Sequence, residues 1–145
     1  MLNTHWILEE DMRKVSQYRE MEARIIQIER EWISVPFHWS AQQLAHVEAV
    51  SLAFQAIAQA EIDWRLKQYS LFFSDSQTAD TPELAEINRK SALTYWAELT
   101  EWRHAAADAR MLVQRVERGV KVYAEYQASE NEKHAEYLRR VGIAA

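Results

Sequence analysis

Glu101 and His104 stand three residues apart in the stretch TEWRHAAADARMLV, residues 100–113. On a helix, a Glu-x-x-His presents a carboxylate and an imidazole on one face, which is half of one ligand set of a di-iron carboxylate centre. The full centre needs a second Glu-x-x-His and a Glu on each of two further helices, all aimed into one core. The chain offers only Gln43-x-x-His46, with an amide where a carboxylate is required, and Glu130 with His134 at the wrong spacing. If Leu99, Trp102, Ala106 and Ala109 face the core, about 100° per residue turns Glu101 roughly 130° and His104 roughly 170° away from that seam. A solvated Glu and His is therefore expected, and a ferritin-like metal-binding bundle is the weakest functional reading.

Other reactive constellations are no better supported. With no Cys there is no disulfide, no thiolate ligand and no cysteine nucleophile. The two glycines are isolated, so no phosphate-cradling loop is present, and no Gly-x-Ser-x-Gly elbow occurs among the scattered His residues. Carboxylate pairs such as Glu29 and Glu31, or the run Glu9 to Asp11, read as helix surface and as complements to a helix dipole. The expectation is a non-enzymatic protein with no catalytic residue, no metal and no cofactor.

The elements that would position any site are helices. Hydrophobic residues make up 48% of the 145, while Gly and Pro number two each, too few for the turns of many short strands. The length suits one domain covering residues 1–145. The fold expected is all-α: an antiparallel helical bundle of three long helices and a short C-terminal helix, over about 6–34, 40–73, 82–127 and 130–141, with a linker at 74–81.

The boundaries have local causes. Thr4 caps the first helix, whose stripe is Leu8, Met12, Val15, Tyr18, Met21, Ile25, Ile28 and Trp32, and Pro36 ends it. Ser40 with Gln43 forms a capping box for the second helix. On that helix the polar positions Glu48, Gln55, Gln59 and Asp63 form one narrow stripe, so most of its circumference should be buried. Thr81 and Pro82 open the third. Its seam is Ala92, Trp96, Leu99, Trp102, Ala106, Ala109, Val113, Val116, Val120 and Tyr123, coiled-coil-like in spacing, with Gly119 beside it. Ser129 with Glu132 is a second capping box and marks a break before the last helix.

At 82–127 the third helix would run roughly 65 to 70 Å against about 40 Å for the first. Its far end should therefore meet another chain, which makes Val113, Val116, Val120 and Tyr123 interface candidates. Trp64, Trp96 and Trp102 fall on seams and are assigned to the core. Trp6 and Trp39 lie at a terminus and in a connection and join the interface candidates.

The favoured function is a helical interaction or assembly protein, either a subunit of a larger complex or a protein-binding inhibitor or adaptor, with a protein partner or a homo-oligomer in view. The alternative is a nucleic-acid-binding subunit using Arg103, Arg110, Arg115, Arg118 and Lys121, which leave a local excess of three positive charges over residues 103–121. Arg outnumbers Lys twelve to five, and Arg is the better phosphate fork. The formal net charge of −5 and the scatter of these residues argue against it. No basic, apolar leader segment opens the chain and no spanning segment occurs, so a cytoplasmic protein away from membranes is expected. Its composition is similar to that of small bacterial or bacteriophage assembly factors.

Overall fold

The computed structural model describes residues 7–31 and 38–143, and all regular structure among them is helical. Three helices occur: α1 (Glu9–Glu31), α2 (Ala41–Thr78) and α3 (Pro82–Arg140). Thr4, Trp6, Trp32 and Pro36, with the expected start and stop of the first helix, lie outside the described residues.

The N-caps expected at Ser40 and Thr81 form. The Ser40 hydroxyl accepts from the Gln43 amide at 3.1 Å, and the Gln43 Oε1 accepts from the Ser40 amide at 2.8 Å. Thr81 Oγ1 accepts from the Leu84 amide at 3.2 Å, with Pro82 at the first helical position. The connection between them is shorter than the expected 74–81, because α2 continues to Thr78. The hydroxyls of Ser76 and Thr78 donate to the carbonyls of Phe73 and Ser74, so the polar run is absorbed into the last helical turn.

The expected short helix at 130–141 is not a separate element. Residues 82–140 form one helix of 59 residues, about 88 Å long. A capping box acts only where the preceding chain leaves helical geometry, and no Gly or Pro lies between Gly119 and Gly142 to make it leave. Instead Lys133 pairs with Glu130 and Arg140 with Glu136 along a continuous surface. The helix ends at Arg140; the Gly142 N–H donates to the Arg139 carbonyl, and the φ of 77° at Gly142 turns the chain so that the Ile143 N–H reaches the carbonyl of Leu138.

α2 and α3 form an antiparallel hairpin. Contacts run in opposite order along the two helices: His38 just before α2 stacks on Tyr123, Phe54 meets Trp102, Arg65 meets Glu98 and Phe72 stacks on Tyr95. The α3 seam follows Ala92, Tyr95, Leu99, Trp102, Ala106, Ala109, Val113, Val116, Val120 and Tyr123, an unbroken alternation of three and four. Trp96, placed on the seam from sequence, lies one step outside it and is 42% exposed. A second buried row, Ala105, Leu112 and Gly119, repeats every seven residues beside it. α1 lies along one side of the hairpin, antiparallel to α2, with Tyr18 stacked on Phe54 at 4.2 Å and Ile25 and Ile28 near Val47 and Trp39.

The far end of the seam is occupied from within the chain. Val116 is fully buried, Val113 and Val120 pack against the core, and Tyr123 is covered by His38. Within the chain these four residues pack against the N-terminal end of α2 and the residues just before it. Trp39 is likewise core, at 7% exposure. Gly119 is the reason it fits: a Cβ there would stand 2.5 Å from Trp39 Cδ1, so the close approach is an indole ring rather than a second backbone. α3 projects past Tyr123, and residues 124–134 are exposed throughout.

Gly119→Ala gains about 1 kcal/mol of helix propensity but must displace the indole, an overpacking cost of about 1–3 kcal/mol. The expected outcome is a lower midpoint of thermal unfolding, followed by circular dichroism. An unchanged or raised midpoint would contradict the packing of Trp39 on α3.

Candidate functional site

His104 is exposed, while Glu101 is half-buried with Oε2 shielded from solvent, so it leans further inward than the helical arithmetic gives. His46 and His134 are exposed on different helices. Among the described residues no group of three or more His, Asp or Glu side chains is placed to hold a metal ion.

The most strongly held polar group was not anticipated. Arg65 has no exposed surface and lies between α2 and α3. Its Nε donates to Glu98 Oε2 at 3.0 Å, and its Nη1 donates to the Glu61 carboxylate and to the Glu61 carbonyl. The indoles of Trp64 and Trp102 lie 5.4 and 5.7 Å from the guanidinium carbon. Glu61 and Arg65 occupy the core repeat Val47, Ser51, Phe54, Ala58, Glu61, Arg65, so the only sign in the sequence was charge where the pattern demands an apolar residue. With both carboxylates engaged and aromatic rings around it, the cluster is a register pin between two helices and offers no free nucleophile or base.

The titration of Tyr18 is clearly displaced. Burial against Phe54, then the hydrogen bond from its hydroxyl to Glu22 Oε2 at 2.9 Å, raise its pKa well above the ordinary 10.0. The phenol therefore stays protonated, which suits a packed side chain and not an acid or base near neutrality.

The remaining site is a surface. Carrying the Tyr18 to Phe54 register back to Ile7 brings the described start of α1 level with Arg65. Beyond that level, residues 66–78 of α2 and 82–96 of α3 pack only on each other among the described residues. Large apolar groups are left in solvent there: Leu66, Leu71, Phe73, Leu84, Ile87, Leu93 and Trp96, each 40% exposed or more. Rings knit this end together, with Tyr69 between Phe73 and Trp96 at 5.8 and 5.0 Å and Phe72 stacked on Tyr95 at 5.6 Å. On the side of the hairpin away from α1 the surface continues as two hollows of about 450 and 420 Å³ between α2 and α3, which share Arg110.

The basic residues singled out from sequence do not form one strip. Arg103 and Arg110 line the side away from α1, where Arg103 lies 5.7 Å over the Trp96 ring. Arg115 turns to the α1 side, 4.0 Å from Glu29, and Arg118 and Lys121 are exposed further along. Of the interface candidates, Trp39 and Val116 are core, Val113, Val120 and Tyr123 are half-buried, and Trp6 lies outside the described residues. Of the three Trp assigned to the core, Trp102 is fully buried, Trp64 half-buried and Trp96 exposed. The exposed hairpin end was missed because its residues have the same types as core residues. The strict three-four alternation through Tyr95 was the available signal for Trp96. No helix among the described residues is long and apolar enough to cross a membrane. Compared with protein families, curated proteins and solved structures, the chain has no match.

Two variants follow from these placements. Arg65→Met strands two neighbouring carboxylates and is expected to cost about 3–5 kcal/mol in a denaturant titration, with most of it restored when Glu61 and Glu98 are also made Gln. For Tyr18, the folded state holds its proton more tightly than the unfolded state. The associated stability is thus complete below the unfolded value of 10.0 and is lost as pH rises above it. Tyr18→Phe should flatten the fall in unfolding midpoint between pH 9 and 11, as read by circular dichroism.

Proposed function

We propose that this chain is a non-enzymatic helical interaction protein, a subunit of a larger complex or a protein-binding adaptor, whose working surface is the apolar end of the α2–α3 hairpin. One observation carries the reading: seven large apolar side chains gather, exposed, where α1 no longer covers the hairpin. Single exposed apolar residues are ordinary, whereas several gathered at one end of a hairpin, with Leu66, Phe73, Leu93 and Trp96 toward one side and Leu71 and Ile87 toward the other, and flanked by charge, match the composition of a protein interface. Arg89, paired with Glu86, and Lys90 supply that charge, and the occupant best matched is an apolar protein surface.

The nucleic-acid reading draws less support. Its five cations are divided over several sides of α3, and Asp63, Glu48 and Glu117 share the hollows with Arg103 and Arg110. A phosphate backbone needs a continuous basic track. For the enzyme and ferritin-like readings no metal-holding group occurs among the described residues, and the Arg65 cluster is internally satisfied.

A photo-crosslinking amino acid at Leu66, Phe73 or Trp96, introduced in the producing cell, should give discrete adducts with another protein. The same group at exposed Gln17 on α1 should not. Absence of adducts at all three hairpin positions, or equal labelling at Gln17, would sink the proposal.

A further inference from the structure

Many of the charges along α3 fall into two sets. Glu86 with Arg89, Glu130 with Lys133, and Glu136 with Arg140 are paired within the helix, and Arg115 faces Glu29. Arg103, Arg110, Glu117, Arg118, Glu125, Glu132 and Arg139 are all exposed, and none has an ion-pair partner among the described residues. At about 100° per residue these seven, together with Trp96, fall within an arc of about 100° on one side of the helix. They span 96 to 139, about 65 Å.

The order of signs along that arc is what a second copy of the same helix, run in the opposite direction, would complement. Read forwards it is Trp96, Arg103, Arg110, Glu117, Arg118, Glu125, Glu132, Arg139. Read backwards, Arg103, Arg110 and Arg118 each stand opposite a carboxylate, Arg139 stands opposite Trp96, and Lys121, the one further exposed cation on the arc without an ion pair among the described residues, stands opposite Gln114. We propose that two copies of this chain associate through an antiparallel pair of α3 helices about a twofold axis between Glu117 and Arg118. The contacts are Arg103 with Glu132, Arg110 with Glu125 and Glu117 with Arg118, each made twice, and Arg139 over the indole of Trp96 at both ends. The intervening matches are Ala107 with Ala128, Gln114 with Lys121 and Thr100 with Ala135, none of them like-charged.

The register also uses the part of α3 that nothing else covers. Residues 124–140 of one copy run along 95–111 of the other, which places its exposed end over Arg103, Arg110 and Trp96 on the side of the hairpin away from α1. Like-charge contacts in the parallel register, Arg110 on Arg110 and Glu125 on Glu125, disfavour that arrangement. This association meets the proposed hairpin surface at Trp96 and at the hollow that Leu66 lines with Arg103 and Arg110. Phe73 lies outside it, so crosslinking from Phe73 and the oligomeric state of the charge variants are read independently.

The test is the oligomeric state of the full chain by sedimentation equilibrium over a concentration series. A dimer is expected whose dissociation constant rises about tenfold or more between about 0.05 and about 0.5 M salt. Arg110→Glu alone and Glu125→Arg alone should each be monomeric with unchanged helicity, since each sets like charges together at both symmetry-related contacts. An equimolar mixture of the two variants should dimerise, because both contacts are then complementary, one with its native signs and one with them exchanged. A wild-type chain that is monomeric throughout, or that binds duplex DNA at low salt in place of dimerising, would overturn the proposal. So would single variants that dimerise as the wild type does, or a mixture no better associated than its components.

Discussion

A buried guanidinium sets the relation between the two long helices. Arg65 lies in a core otherwise made of Phe54, Ile62, Leu99 and Trp102, and both carboxylates that neutralise it come from defined places, Glu61 one turn before it and Glu98 across the hairpin. A one-step slip of α3 against α2 would leave an unpaired charge in that core, at a cost of about 3–5 kcal/mol. Apolar contacts cannot exclude such a slip as firmly. The Ala-rich stretch of α3 from Ala105 to Ala109 presents similar small surfaces in neighbouring registers. Everything placed relative to the hairpin inherits this register: the ring pairs at its end, the Trp39 indole over Gly119, and the groove in which α1 lies.

Much of this was legible in the residues, and the failures have physical causes. Caps at Ser40 and Thr81 are local, decided by a side chain and the amide three residues on, and the sequence contains both partners. The break expected at Ser129 was read from the same kind of motif. A motif that can cap a helix does not create an end where the surrounding residues favour continuation. Trp96 was assigned to the seam because Trp is apolar and large. The backbone period, by contrast, selects Tyr95, and a period is a stronger guide to facing than size. The hairpin end could not be distinguished from core by residue type at all. Its exposure depends on how far α1 reaches, a tertiary fact.

The mismatch of lengths organises the exposed surface. Helices of about 35, 57 and 88 Å cannot cover one another fully. Among the described residues α1 covers one side of the hairpin up to the level of Arg65, and α2 begins at Ala41, just after the Trp39 that packs on Gly119. What remains is an apolar surface at one end of the molecule and a charged helix at the other, and the two differ in kind. Burying Leu66, Phe73 and Trp96 is worth about 25 cal/mol for each Å² removed from water and is nearly independent of salt. The projecting part of α3 has few large apolar groups, so any contact it makes must be shallow, long and governed by charge.

That projecting helix is itself informative. Seventeen residues cut free at 124–140 would be only marginally helical in water, because the first turn costs more than its hydrogen bond returns. Attached to a packed helix they need no nucleus, and each residue adds to a turn already made. Good helix formers then suffice, and the local pairs Glu130 with Lys133 and Glu136 with Arg140 add only about 0.2–0.5 kcal/mol each. Helicity is thus explained without a partner, but the arrangement of charge is not. The helix dipole accounts for Arg139 and Arg140 near the C-terminus, yet it gives no reason for Glu125 and Glu132 to share an arc with Arg103 and Arg110 and remain unpaired. For a helix that merely projects into water, the order of these charges would be indifferent to direction reversal. Sign-by-sign complementarity under reversal is the property required of one strand of an isologous pair.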